Sequence, residues 1–576
     1  MSFVARFSPA GNSQSAANTE DRRDELSLGD SRSGELRRLS SLAQLAQLRL
    51  SEQESYSIVG RIRLDRRDEL KGELASRFGR VDRDATDADL CLLAYAAWGE
   101  GALDHLHGDF AFALWDERSR KLFCARDRLG IRTLPYLEKA GTCWVSDSLR
   151  DLVAESGYES QALDRVWISD FLKIGFCDDP SRTVYAEVRR LLPGHALAIT
   201  PGGSQLRCYW RLELAEPIFL KSPGDYGERF QALLGDSIRD RLPDGKLGIM
   251  MSGGLDSSTL AAKAVELTGS PARVTARSWL VSPEEDTESW ASRLVAQHLG
   301  IHQDVIDSDL LHYDPNWRER PAQGAEPGWG GVYPQDRLAD MHAMEQQATV
   351  WFYGEGPDNA LTFEWRAYLK WLARRGMWAQ LSKAVVTYLG TKSLKEWGTT
   401  LGVWSGRKRD LWPSPDLDWI RDPGLPPAPV GHDADSWRPN ALKSFRGAQW
   451  PYFLESLDDE YASTEIDWRH PFLDLRVLDF MLRTPPIPWG RRKRLIRSAM
   501  KGHLPPEILT RDKSPLHRDL LADLLRECPP AMPEKGARIE DYVEIERLPE
   551  DLAGFDDPYA LLRVSILDHW LNTRHG

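Results

Sequence analysis

The stretch Ser252-Gly253-Gly254-Leu255-Asp256-Ser257-Ser258 constrains this chain more than any other. Before it stands KLGIMM (246–251), a short continuous apolar run of the kind that marks a strand buried on both faces. After it comes STLAAKAVELTG, which reads as a helix. A strand that turns on two glycines into a helix gathers backbone N–H groups and the positive end of the helix dipole at one point, which favours an anion. Gly253 and Gly254 let the backbone close on a phosphate without interference from a Cβ. Ser252, Ser257 and Ser258 add hydroxyl donors, and Asp256 suits a magnesium ion bridging phosphate oxygens. An ordinary glycine turn with a helix cap needs two of these residues, not all seven. The lysine of a GxxxxGK[ST] loop is absent, so this is a phosphate site of another kind.

The alternation continues downstream. RVTARSWLVS reads as a strand, TESWASRLVAQHLG as a helix, and VWFYGEGPDNAL begins as a strand again. Strands alternating with helices predict a parallel, doubly wound sheet. Just upstream, YGERFQALLGDSIRDRL is amphipathic, with Phe230, Leu233, Leu234 and Ile238 on one face. From about Phe363 the pattern is mostly helical, broken by the Pro-rich WPSPDLDWIRDPGLPPAPVG. The first part of the chain is different. SIVGRIRL, DFAFALW, KLFCARD, TCWVSD and HALAIT are short strand-like pieces, with the helical DADLCLLAYAAWG between the first two, and predict an antiparallel sheet. The leucine-bearing stretch 36–50 reads as helical. AEPIFLKSPGD carries two prolines and a glycine and reads as a linker, dividing the chain into domains 1–215 and 216–576.

The 576 residues, 41% hydrophobic and 28% charged, suit a folded chain with more than one core. A net charge of −13 argues against a nucleic-acid groove. No run approaches the roughly 18 apolar residues a membrane span needs, and the N-terminus has no long apolar segment. The cytoplasm is the expected location. The six cysteines form no CxxC and no pattern with spaced histidines, which sets aside structural zinc and a disulfide framework. Of 22 tryptophans, 17 lie from Trp279 onward, suited to core packing or to a groove for a peptide.

SGGLDSS resembles the pyrophosphatase loop of ATP enzymes that release AMP and pyrophosphate, and the whole chain is similar to the asparagine synthetase class. Gly108-Asp109-Phe110-Ala111-Phe112-Ala113-Leu114-Trp115-Asp116, Ala125-Arg126-Asp127-Arg128-Leu129-Gly130 and Leu192-Pro193-Gly194-His195 resemble segments of that class's glutaminase domain. Tyr353-Gly354-Glu355-Gly356-Pro357-Asp358, His470-Pro471-Phe472-Leu473-Asp474 and Arg511-Asp512-Lys513 resemble its SGEGSD, VPFLD and RKKE segments. The resemblance implies an Ntn-hydrolase-like antiparallel domain, then an α/β adenine-nucleotide α-hydrolase-like synthetase domain with a helical C-terminal region. It implies ATP as substrate and Mg2+ held by Asp256 and Asp358. The ATP neighbours it implies are Met251, Ser252, Gly253, Gly254, Leu255, Asp256, Ser257, Ser258, Val281, Tyr353 and Gly354. Lys513 is then expected to stabilise developing negative charge, and Glu355 to take a proton from the attacking amine.

The glutaminase half departs from the pattern. Ser2 stands where the class has its nucleophilic cysteine, and Val59-Gly60-Arg61 stands in place of Asn-Gly-Glu. A cation replaces the carboxylate that would hold the glutamine ammonium, which would repel it. Asp87 is the surviving piece, and glutamine hydrolysis is expected to be lost. A ligase half without an ammonia source is similar to the β-lactam synthetases and lasso-peptide cyclases, and Gly-Glu-Gly-Pro-Asp-Asn-Ala-Leu (354–361) most resembles the cyclases. That resemblance implies a precursor peptide as substrate, with a leader peptidase and a leader-recognition protein as partners.

Overall fold

The computed structural model describes residues 2–8, 25–28, 34–51, 53–158, 162–279, 287–306, 313–322, 324–390, 417–421, 436–461, 463–512, 520–549, 557 and 559–573. Two antiparallel sheets stack in the first part of the chain. One runs, in spatial order, β10 (Val188–Arg190), β8 (Pro135–Lys139), β9 (Thr142–Ser146), β1 (Phe3–Phe7), β3 (Gly34–Arg38) and β2 (Glu25–Leu28). The other runs β12 (Gly203–Cys208), β11 (His195–Thr200), β7 (Lys121–Arg126), β6 (Gly108–Asp116), β5 (Ser55–Leu64) and β4 (Gln44–Arg49).

Successive strand residues point to opposite faces, and here both faces of the second sheet are covered. Ile58, Ile62, Phe110, Phe112 and Leu114 pack under the helices Arg67–Phe78 and Asp87–Trp98. Val59, Ala111, Ala113 and Trp115 pack against Phe3, Ala5 and Phe7 of the first sheet. The helices Leu149–Glu155 and Arg165–Ile174 cover that sheet's outer side, sharing a core with the last helix, Tyr559–Thr573. The layering is helix, sheet, sheet, helix. The stretch 36–50 is not a helix: it forms β3 and β4, joined by a turn in which Ala43 N donates to Ser40 O (3.3 Å).

The second part carries a parallel sheet in the order β15 (His302–Ile306), β14 (Val274–Trp279), β13 (Leu247–Met250), β16 (Val350–Phe352), β17 (Asp467–Arg469). β13 is central. The chain moves outward from it to β14 and β15, then crosses back to β16 on its other side. The carboxyl ends of β13 and β16 therefore face the point where the winding reverses, where open α/β sheets bind ligands. The fold is thus a pair of stacked antiparallel sheets followed by a parallel α/β domain, as the resemblance implied, and among the described residues no helix is long and apolar enough to cross a membrane.

Candidate active site

The SGGLDSS turn leaves the carboxyl end of β13 and opens the helix Leu255–Thr268. Met251, just past the strand, is buried, and its N–H donates to Arg277 O (2.8 Å) on β14. Gly253 is left-handed (φ 72°), and an added Cβ would lie 2.4 Å from Glu288 O and 2.6 Å from Ser292 N. Only glycine fits there. Ser257 Oγ accepts from Ser252 N (3.2 Å), and Gly254 N donates to Ser252 Oγ (3.3 Å), so serine hydroxyls shape the turn from within. Ser258 is fully buried at the helix start, Leu255 is half-buried, and Asp256 lies in the first turn.

The segment after β16 comes to the same place. Gly354 packs directly on the helix start, where an added Cβ would lie 3.2 Å from Ser257 N. Tyr353 N donates to Arg469 O (3.1 Å), and its ring sits among Phe453, Trp468 and His470, with centroids 5.7, 5.9 and 6.3 Å away. Burial, with the Glu355 carboxylate beside it, pushes the Tyr353 hydroxyl up to about 12. Glu355 is half-buried, and Asp358 is exposed in the short helix Pro357–Ala360.

The residue that joins the two segments is one the sequence reading missed. The Lys493 ammonium is ion-paired with Asp256 and lies 2.8 Å from Asp358 Oδ1. Burial works against its charge, but the two carboxylates outweigh this and hold its pKa above the ordinary lysine range. Two carboxylates converging on one cation at the mouth of an anion-binding turn form a hard oxygen donor set of the kind magnesium takes. Lys493 follows Arg492 into the left-handed region, with φ 51° and 52°. Such a backbone costs an L residue about 1–2 kcal/mol. In the sequence, Arg491-Arg492-Lys493-Arg494 looks like a solvated basic run, with nothing to single out its third member. Arg511 reaches the same turn, its Nη1 donating to Gly253 O (3.3 Å). Val281 and Lys513 lie outside the described residues.

Residues 229–571, more than half of the chain, match the asparagine synthase family, and residues 40–210 match the glutamine amidotransferase domain. The chain belongs to the asparagine synthase family. It is 24% identical over 491 residues to asparagine synthetase [glutamine-hydrolyzing] 3 of Bacillus subtilis, covering 80% of this chain and 75% of that one. A putative asparagine synthetase of Mycobacterium tuberculosis is 26% identical over 487 residues, covering 77% and 72%. The amidase chyE of Penicillium rubens is 29% identical over 311 residues, half of this chain and 44% of the amidase. Family membership supports ATP-dependent carbon–nitrogen bond formation.

In this member of the asparagine synthase family Ser2, the residue the sequence reading set against the nucleophilic cysteine, is closed in. Ser2 is 1% exposed, and its hydroxyl lies 3.2 Å from both Phe3 O and Ser146 Oγ. Burial raises the nearby Asp147 carboxyl to about 6, against the pull of Arg61. Arg61 itself is turned toward the second domain, with Nη1 3.0 Å from Asp458 and Nη2 3.9 Å from Asp467 of β17. Arg132 pairs with the same two carboxylates. Asp87 is tied within its own domain, accepting from the Leu64 backbone N (3.1 Å) and from Arg67 Nη1 (2.7 Å).

Proposed function

We propose that this chain is an AMP-forming carbon–nitrogen ligase that closes a macrolactam on a lasso precursor peptide. An Asp or Glu side chain of the peptide attacks the α-phosphate of ATP, pyrophosphate leaves, and the core's N-terminal amine displaces AMP to give an isopeptide bond. The observation that carries the reading is the meeting of Asp256, Asp358 and Lys493 at the SGGLDSS turn. That turn leaves the α-phosphate open while it grips the outer phosphates. Asp256 and Asp358 would hold a magnesium ion, which when bound neutralises the triphosphate. Lys493 then supplies a fixed positive charge where negative charge develops. Glu355, next to Tyr353 at the edge of the turn, is the base for the attacking amine. Lys513 is proposed to join them at the leaving pyrophosphate.

The amine comes from the peptide because the amidotransferase half lacks the means to supply ammonia. Ser2 is buried, and the Arg61 guanidinium is committed to Asp458. Phe363, Trp365 and Tyr388 follow Asp358 as a half-buried aromatic cluster, Trp365 stacking on Tyr388 at 4.5 Å, and offer a surface for a folded peptide. A leader peptidase and a leader-recognition protein are the proposed partners, in the cytoplasm of a bacterium.

The test is mass spectrometry of a panel of peptides carrying Asp or Glu at the seventh to ninth core position, incubated with the protein, ATP and magnesium. A product lighter by one water, formed with one AMP, is expected. Asparagine formed from aspartate and free ammonia would replace this reading with that of a synthetase, and a β-lactam product with that of a β-lactam synthetase.

A further inference from the structure

Lys493 and Arg511 reach the SGGLDSS turn from two different segments, and the Arg497 side chain hydrogen-bonds to the backbone of both. The Arg497 Nε donates to Arg492 O (2.6 Å), the carbonyl between the two left-handed residues. Its Nη1 donates to Leu509 O (2.5 Å) and its Nη2 to Arg511 O (2.8 Å). Left-handed non-glycine pairs persist only where the surroundings over-determine them; here Lys493 N donates to Gly490 O (3.2 Å), Arg492 Nη2 to Thr510 O (3.3 Å), and the Arg497 hydrogen bond falls on the strained peptide itself. From that turn the Lys493 ammonium spans Asp256 and Asp358. From the other segment the Arg511 guanidinium donates to Gly253 O (3.3 Å) and to Thr287 Oγ1 (3.2 Å).

Resting on the ligase reading above, we infer that Arg497 is a positioning residue for the phosphate end of the site: it sets Lys493 and Arg511 together against the turn without touching it. The chemistry requires arginine. Its rigid planar fork addresses carbonyls of both segments at once, whereas an ammonium is a single point of charge on a flexible stem. Arg497 is half-buried in the short helix Arg494–Ala499, and its hydrogen bonds go to backbone carbonyls.

Equilibrium binding of MgATP and of adenosine to the full chain tests this, with Arg497→Gln and Arg497→Lys beside wild type and a thermal melt for each. Arg497→Gln is expected to weaken MgATP at least tenfold and adenosine less than twofold, because only the phosphates meet the two cations. Arg497→Lys should recover less than half of that loss on a logarithmic scale. MgATP binding within twofold of wild type in Arg497→Gln would overturn the inference, as would equal loss for both ligands. If Arg497→Gln does not fold, the ATP-against-adenosine split in Arg497→Lys decides: threefold or more supports the role, and no split refutes it. A wild-type chain that binds no MgATP at all would sink the ligase reading itself, before any variant is compared.

Discussion

Lys493 carries the electrostatic work between Asp256 and Asp358, and its removal leaves two carboxylates facing each other at a phosphate site. Loss of one well-placed electrostatic donor lowers a rate by about 100- to 1000-fold. Lys493→Ala is expected to lower AMP formation by that factor, measured by chromatography of the nucleotides. Lys513→Ala, measured alongside, shows how the charge is divided between the two lysines. A Lys493→Ala chain within threefold of wild type would remove Lys493 from the mechanism. His470 matters for a different reason. It is 3% exposed, and burial, with Arg132 and Arg241 near it, pushes its pKa down to about 4 in spite of Asp109 and Asp458. The unfolded imidazole takes its proton near pH 6.5 and the folded one near 4, so between these values the unfolded state binds more protons. Stability from this group is present above pH 6.5 and is lost as the pH falls toward 4, by up to about 3 kcal/mol. His470→Val should therefore shrink the drop in Tm between pH 7 and pH 5; an unchanged drop would show that the imidazole is protonated in the fold.

At the scale of elements, the turn after β13 depends on Gly253. Gly253→Ala places a Cβ against Glu288 O and Ser292 N at a left-handed φ, so the turn must shift away from the helix Thr287–Leu299. MgATP affinity should fall tenfold or more by calorimetry, and an unaffected affinity would mean that the turn does not grip phosphate. This element was legible in the sequence because a five-residue apolar run (247–251), a serine, two glycines and a helix stand in succession. The strands β5, β6, β7, β9 and β11 were legible too, as short β-branched and aromatic runs between breakers. The stretch 36–50 was not. Its leucines recur every third residue and mimic a helical face, but the turn at Ser40 resets the strand phase, so Leu36 is buried in β3 while Leu39 is exposed. β1 is hidden in a polar opening segment, its apolar residues buried only because β3 and β9 flank it. The site was legible where residues are contiguous, as at 252–258 and 353–358. Lys493 and Arg497 act through a left-handed backbone and through carbonyls of a distant segment, and neither leaves a mark in residue identities.

For the whole molecule, the halves meet through an apolar core, in which Trp167 and Phe171 join Leu561 and Trp570, and through a buried charged contact. Arg61 and Arg132 of the first domain share Asp458 and Asp467 of the second, and β17, which carries Asp467, also carries Trp468 beside Tyr353. The arginine that stands where glutamine recognition would need a carboxylate is thus a tie between domains. Breaking a buried pair by changing one partner costs about 3–5 kcal/mol. Arg61→Glu sets a third carboxylate against Asp458 and Asp467, and a loss of that size is expected in chemical denaturation, with partial recovery when Asp458→Arg is added. Wild-type stability in Arg61→Glu would show that the pairing contributes nothing. Acyl-adenylate chemistry leaves one signature that no other course reproduces. A precursor peptide labelled with 18O in its acceptor carboxyl should pass one labelled oxygen to AMP for every lactam closed, read by mass spectrometry of the nucleotide. Label found in inorganic phosphate, together with ADP, would contradict the assignment of this site as an AMP-forming ligase.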